Sequence, residues 1–532
     1  MTMIRTTETH DLVEDRRLTL QTELDRHKTQ IERNKFGQFA TPTRLAQEIL
    51  AYGLSLLPEN KAIRFLDPAI GTGSFYSALR ATHGQRPVAW ACGFEIDPHY
   101  GEPAQEFWKT TSLDLTLADF TRQEPPTHDE AKSNLLICNP PYVRHHHIDS
   151  IDKRRLQNAA RDAANIEASG LSGLYCYFLA LSHKWMSEGG IAGWLIPSEF
   201  MDVNYGKALK AYLLREVTLL HIHRFDPNDV QFDDALVSSA VIWFKKQKPP
   251  ASHQVTFSFG GTLRQPALIR KINTDELGRT NKWSRYPKRG AESTHTGYRL
   301  GDLFTIKRGL ATGDNNFFIL DEKRALELNI PSQFLRPILP SARYVKGDEI
   351  MADSHGVPLL EKRLFLLDCV LPEHEVQHEH PSLWAYLQTG REQVAQRYLC
   401  RSRRYWYAQE RRPAAPIVCT YIGRSDHDGK PFRFLLNHSQ ATATNVYLML
   451  YPSSLLMNRL QTDPTKLRTL WHALNTLDHT VLLDNGRVYG GGMHKLEPRE
   501  LSNVPADDLA AMVGLNGKNP KMQMEFEVMT AP

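Results

Sequence analysis

An open α/β fold, with a mostly parallel sheet covered by helices on both faces, is what this chain predicts, and three observations carry the prediction. Short apolar runs alternate with helical patterns from about residue 63 to residue 244. A glycine turn, Gly71-Thr72-Gly73, follows the first of those runs. Successive runs end on acidic or amide side chains, namely Asp67, Glu95, Asp119 and Asn139.

The elements follow in order. Residues 1–34 are charged, with Val13, Leu20, Leu24 and Ile31 at helical spacing, and predict one helical extension packed on its own domain. Gly37-Gln38-Phe39-Ala40-Thr41-Pro42 leads into Leu45, Ala46, Ile49 and Leu50 at helical spacing. Thr41 is expected to cap that helix, with Pro42 in its first turn. Strands are expected over 63–66, 88–94 and 134–138, a helix over 75–81, and a third sheet segment ending at Ala118-Asp119-Phe120. An apolar helix over 175–186, ended by Gly189-Gly190, precedes a strand over 191–196, and two close strands over 219–223 and 236–244 complete the sheet. At Lys245-Lys246-Gln247-Lys248-Pro249-Pro250-Ala251-Ser252 the pattern breaks into charge and proline, which predicts a domain boundary. The expected division is therefore 1–34, 35–246 and 247–532. The last part is mixed, loop-rich and without internal repeats.

Bulk composition narrows the class. With 41% hydrophobic and 23% charged residues the chain is an ordinary globular one, and 532 residues suit two domains better than one. A net charge of +4 says less about partners than a local basic surface does. The six cysteines lie far apart with no CxxC pair, the pattern of free thiols in a reducing compartment. Neither a secretory leader nor an apolar run of the roughly 20 residues that a membrane span needs is present, so a cytoplasmic protein is expected.

The chemistry sits at the strand ends. Asp67 and the 71–73 turn close the first strand where backbone can approach a nucleoside cofactor, Glu95 is suited to ribose hydroxyls, and Asp119 with Phe120 to an adenine amino group and ring. A phosphate is disfavoured, because no Gly-Lys-Ser/Thr follows the turn and Asp67 would repel it. Asn139-Pro140-Pro141-Tyr142 then closes the run 134–138. An aromatic amine is a poor nucleophile because its lone pair is delocalised. Two acceptors, the Asn139 side-chain oxygen and the Pro140 carbonyl, can each take one N–H and expose that lone pair, while proline fixes the backbone. Tyr142 supplies a face on which a base can stack, a contact worth roughly 1–3 kcal/mol. Methyl transfer from S-adenosylmethionine (AdoMet), whose methyl sits on a sulfonium, needs that kind of positioning more than it needs a strong base.

Together these segments resemble the gamma class of amino DNA methyltransferases, the Taq-type adenine enzymes. The resemblance implies an AdoMet-dependent methyltransferase fold, a Rossmann-like mostly parallel sheet, joined to a C-terminal mixed α+β target-recognition domain. It carries Thr41, Asp67, Ala69, Gly71, Gly73, Glu95, Asp119, Phe120 and Phe178 over as AdoMet contacts. It likewise carries Asn139, Pro140, Pro141 and Tyr142 over as the catalytic loop, with Phe232 on the other face of the base. The target adenine would be flipped out of double-stranded DNA, and protection against a separate restriction endonuclease is implied. A monomer and a palindromic hexamer such as the XhoI site CTCGAG complete the expectation. Arg308-Gly309-Leu310-Ala311-Thr312-Gly313 and the 490–498 segment also look like patterns of this family's recognition domains.

In the C-terminal part, Arg401, Arg403, Arg404, Arg411 and Arg412 crowd around Trp406, the types that pair with guanine edges, hold phosphates and stack, although a solvated face has the same composition. The histidines at 145–147, 221 and 223 lack the spacing of a zinc site, and no metal is expected. Cytosine-N4 methylation, an RNA or protein-glutamine N-methyltransferase, and an inactive DNA-binding defence module stay open as alternatives.

Overall fold

The computed structural model describes residues 10–226, 238–288, 297–424, 430–489 and 493–515. Two compact units divide the chain, Met1–Glu292 with Tyr489–Gly491 and Ser293–Val488 with Gly492–Pro532.

In chain order the first unit contains helices α1 (His10–Arg26), α2 (Gln30–Phe36) and α3 (Thr43–Leu56), then strand β1 (Ile63–Asp67) and helix α4 (Ser74–Thr82). Strand β2 (Val88–Glu95), helix α5 (Pro98–Trp108), strands β3 (Leu113–Leu117) and β4 (Ser133–Cys138) and helices α6 (Ser150–Ala164) and α7 (Leu174–Ser182) come next. The unit ends with β5 (Met186–Pro197), α8 (Gly206–Arg215), β6 (Thr218–Arg224), β7 (Ser239–Lys245), β8 (Gln254–Gly261) and β9 (Pro266–Asn273). All nine strands form one sheet, in the order β3-β2-β1-β4-β5-β7-β6-β8-β9. The pairs from β3 to β5 are parallel, and β7 runs antiparallel between β5 and β6.

The central strands read as continuous apolar runs because helices cover both faces, and every residue of β4 is buried. On α3 the buried residues Leu45, Ala46, Ile49, Leu50, Gly53 and Leu54 repeat with the helical period and make one face against the sheet. Winding reverses between the neighbours β1 and β4, where Phe65 lies beside Leu135 and Leu66 beside Leu136. Their carboxyl ends, Asp67 and Cys138 with Asn139, therefore meet at the position where open α/β sheets bind ligands.

Four expectations are corrected. The proline-rich break after residue 244 is a connection inside the sheet: β8 pairs with β6 and β9 with β8, so the first unit runs well past 246. Residues 10–34, the described part of the expected extension, are not a separate body. Helix α1 belongs to the first unit, and the chain breaks at residues 27–29 before α2. Its expected apolar stripe does not hold either, since Ile31 is 81% exposed while Glu14 and Arg17 are buried. The Arg17 guanidinium donates to both Glu14 oxygens, at 2.8 and 2.6 Å, and Glu14 also accepts hydroxyls from Thr43 and Ser77. Burial pushes the Glu14 carboxyl up, but the Arg17 bonds and charge and the two hydroxyls outweigh it and hold the group below the usual carboxylate range. Finally, the helix expected to reach residue 186 stops at Ser182, and β5 begins at Met186, carrying Gly189 and Gly190 within a strand that is irregular opposite β4.

In the second unit, strands Phe304–Arg308, Tyr447–Pro452, Ile417–Thr420, Phe434–Asn437 and Glu349–Ile350 lie side by side in one sheet. A second sheet orders Ile319–Asp321, Leu364–Leu367, Leu335–Leu339 and Thr442–Ala443. Helices stand beside both, so the unit is mixed α+β. Among the described residues no helix is long and apolar enough to cross a membrane.

Candidate functional site

A cavity of about 570 Å³ opens at the carboxyl ends of β1, β2, β3 and β4. Of the residues expected to hold a cofactor, Thr41, Asp67, Ala69, Gly71, Glu95, Asp119, Phe120 and Phe178 line it, as do Asn139 and Pro141 of the expected catalytic loop. Gly73 has another task. With φ at +91° its Cβ position would lie 2.5 Å from Trp108 Nε1, which donates to the Thr72 carbonyl at 3.0 Å. Glycine there lets the turn press against Trp108.

Each acidic strand end is oriented by neighbouring amides. Asp67 accepts from the Ala69 amide at 3.1 Å. Burial pushes its carboxyl up to about 8, the negative Glu95 adds to that, and the Ala69 amide and Cys138 oppose it. Glu95 accepts from the Gly71 amide at 3.0 Å and from the Asp97 amide at 2.8 Å, and burial raises its pKa as well. Asp119 takes the Thr121 amide at 2.9 Å and pairs with Arg122 at 3.2 Å, while Arg122 and Arg155 both reach Asp152 on α6. The rings of Phe94, Phe120 and Phe178 pack together behind that turn, with 5.5 Å between the Phe120 centroid and each of the other two.

Asn139 is oriented by two hydrogen bonds. Its Nδ2 donates to the Phe39 carbonyl at 2.9 Å and to Thr41 Oγ1 at 3.2 Å, while its Oδ1 is buried with no hydrogen-bond partner. Both amide protons are committed to the 39–41 segment, so the oxygen is the group left for a ligand, and an orphaned buried acceptor of this kind is costly unless something fills it. Thr41 therefore does not cap α3: Pro42 stands at that position with no side-chain cap bond, and the Thr41 hydroxyl holds Asn139 instead. Pro140 is buried. Tyr142 is half-buried, its ring 5.9 Å from that of Phe39 and its hydroxyl donating to the Leu195 carbonyl at 3.0 Å. Phe232 lies outside the described residues.

Several cavity residues were not foreseen. Gln21 and Asp25 of α1, Lys28 and Phe36 also line it. Lys28 and Gln38 both donate to Asp97, the latter at 2.7 Å, and Asp97 caps α5. The signal that could have found them is the polar face of α1, Gln21-x3-Asp25, which a charged helix pattern hides.

In the second unit the arginine run divides. Arg403 donates to the Ala311 carbonyl at 2.9 Å and Arg397 to that of Gly313 at 3.1 Å, so these two grip the Arg308–Gly313 segment. Arg412 pairs with Glu410 at 2.9 Å, and Trp406 packs on Phe317, 5.7 Å between centroids. Arg401, Arg404 and Arg411 are exposed, Arg404 lying over the Tyr405 ring. His221 and His223 are buried in β6 on the Ser258 hydroxyl, at 2.7 and 2.8 Å, and burial lowers both pKa values, to about 4 and about 3.

The sheet order and the cavity at its switch point define an α/β fold of the AdoMet-dependent methyltransferase type with an additional mixed unit. Residues 92–231 match the family described as Eco57I restriction-modification methylase, and residues 289–525 the Type II methyltransferase M.Eco57I C-terminal domain. Type II methyltransferase M.AccI of Acinetobacter calcoaceticus is 26% identical over 499 residues, 90% of this chain and 87% of its own. Type II methyltransferase M.XamI of Xanthomonas campestris pv. amaranthicola is 26% identical over 483 residues, 88% and 84% of the two chains. Among solved structures, the Type IIL restriction-modification enzyme MmeI in complex with DNA has a similar fold, with a TM-score of 0.51 at 12% identity over 97% of this chain and 78% of that one. Over most of its length the chain is thus similar to Type II restriction-modification methyltransferases.

Proposed function

We propose that this protein is a site-specific DNA methyltransferase that moves a methyl group from AdoMet to N6 of an adenine flipped out of double-stranded DNA. The modified site would be protected from a separate restriction endonuclease. The observation that carries this reading is the buried Asn139 oxygen, held without a partner while both amide protons are engaged. Asn139 Oδ1 accepts one N–H of the target amine and the Pro140 carbonyl the other, which draws the nitrogen lone pair out of conjugation.

The cavity's donors and acceptors fit AdoMet. Glu95 keeps acceptor capacity for a ribose diol beyond its two amide donors, Asp119 and Phe120 offer an acceptor and a ring to adenine, and Asp67 a carboxyl beside the 69–71 turn. When bound, AdoMet supplies an electrophilic methyl. Tyr142 and Phe232 are proposed to hold the flipped base, and Arg401, Arg404 and Arg411 to meet the DNA, in a gamma-class enzyme.

Sequencing that detects modified bases, run on DNA from cells expressing the protein, tests the reading. N6-methyladenine within one recurrent motif supports it, with CTCGAG the expected site. N4-methylcytosine moves the target base, and unmodified DNA overturns the assignment.

The Asp67 carboxyl gives a pH signature. Its pKa of about 8 means that it holds a proton at neutral pH in the ligand-free protein. A cationic ligand favours the carboxylate, so binding expels that proton, and affinity rises with pH up to about 8 and levels off above it. Isothermal titration should find AdoMet binding tightening by up to about tenfold per pH unit between 6 and 8, and Asp67→Asn should flatten the rise. An affinity constant over that interval contradicts the prediction.

A further inference from the structure

We propose that α1 forms a built wall of the cofactor site, with Arg17 as the residue that positions the glycine turn. This rests on the reading that the cavity takes AdoMet.

Arg17 is fully buried. Beyond its two bonds to Glu14, its Nη1 donates to Thr72 Oγ1 at 2.9 Å. The Thr72 hydroxyl donates in turn to Gln21 Oε1 at 2.6 Å, and Gln21 Nε2 to Asp25 Oδ1 at 3.0 Å. Tyr100 closes the chain from α5 with a bond to Asp25 Oδ1 at 2.8 Å. Thr72 is thus fixed through its hydroxyl by α1 and through its carbonyl by Trp108. The adjoining Gly71 amide is the one that donates to Glu95. A continuous path joins Glu14, Arg17, Thr72, Gly71 and Glu95, and two of its side-chain neighbours, Gln21 and Asp25, face the cavity themselves.

A buried ion pair is a poor way to gain stability, because desolvation offsets the attraction and apolar residues of similar volume serve as well. What a guanidinium adds is a rigid fork that sets the angle between two partners. Here one partner is the carboxylate that gathers Thr43 and Ser77, and the other is the turn hydroxyl. Arg17 therefore sets the register of the 71–73 turn relative to Glu95. Asn139 is oriented by a different segment, Phe39 and Thr41, so the two functions separate.

Steady-state methylation by the full-length protein tests this. Arg17→Met should raise the KM and Kd for AdoMet by about tenfold or more while leaving kcat nearly unchanged. Arg17→Lys, which keeps the charge without the fork, should fall between the two. A role in folding alone would lower the active fraction, and so apparent kcat, at constant KM. If Arg17→Met does not fold, hydrogen exchange on the wild-type protein decides: S-adenosylhomocysteine should protect the amides of α1, and unchanged exchange there overturns the proposal. Wild-type binding of AdoMet with Arg17→Met keeping its KM overturns the inference alone. A wild-type protein that binds no AdoMet overturns the underlying reading, and this one with it.

Discussion

Asn139→Ala is expected to lower methyl transfer by about a thousandfold while leaving AdoMet affinity within about twofold of wild type. The asymmetry follows from the hydrogen bonds. The Asn139 side chain bonds to Phe39 and Thr41, whereas Asp67 accepts from the Ala69 amide and Glu95 from the Gly71 and Asp97 amides. What the substitution removes is an acceptor whose direction is already set before substrate arrives, and preorganised acceptors act on the step in which charge develops at the amine. Asn139→Asp sharpens the test. It keeps an acceptor oxygen but replaces the donor nitrogen, so a lone pair would face the Phe39 carbonyl at a separation now spanned by a 2.9 Å hydrogen bond. The loop must then move, and transfer should fall about as far as in the alanine variant. Single-turnover transfer of a labelled methyl group to DNA, with calorimetric AdoMet binding on the same preparations, gives both numbers. Transfer within about tenfold of wild type in either variant would remove Asn139 from the reacting centre.

What made the site readable was the period of the strands. Asp67 and Asn139 each end an apolar run, and parallel strands that neighbour across a winding reversal bring their carboxyl ends together whatever lies between them in the chain. The fold class and the carboxylates facing the cavity follow from that regularity. Contacts with no local period did not. Thr41 stands directly before Pro42 and a helix, so its local signal is a cap, and only the folded chain brings it to a side chain 98 residues away. Glu14 and Arg17 read as the solvated face of a charged helix because burial of an ion pair leaves no mark in hydropathy. The alternation of Val255, Phe257 and Phe259, all buried in β8, was a legible strand signal that the preceding Pro249-Pro250 masked as a boundary. Arg403, counted with its neighbours by charge, turned out to hold the backbone of Ala311.

Gly37→Ala carries the second large effect, and its cause is steric. Gly37 has φ at +65°, and a Cβ there would lie 2.2 Å from the Tyr142 nitrogen and 2.7 Å from its carbonyl carbon. The obstacle is backbone, which cannot rotate away as a side chain does. The Tyr142 amide also donates to the Gly37 carbonyl at 3.3 Å, so the same close approach ties the 37–41 segment to the loop carrying Asn139. Pushing the two apart by an ångström stretches the bonds from Asn139 to Phe39 and Thr41 and releases the oxygen they aim. A misplacement of that size costs on the order of a hundredfold in kcat. Gly84→Ala supplies the control: its φ is +61°, but nothing lies within 4 Å of the added methyl. It should lose about 1 kcal/mol of stability from backbone strain and keep its activity. Thermal unfolding and kcat measured on both variants separate strain from displacement. If Gly37→Ala retains kcat within about threefold of wild type, the 37–41 segment does not aim Asn139, and the orphaned oxygen must owe its direction to Pro140 and Pro141 alone.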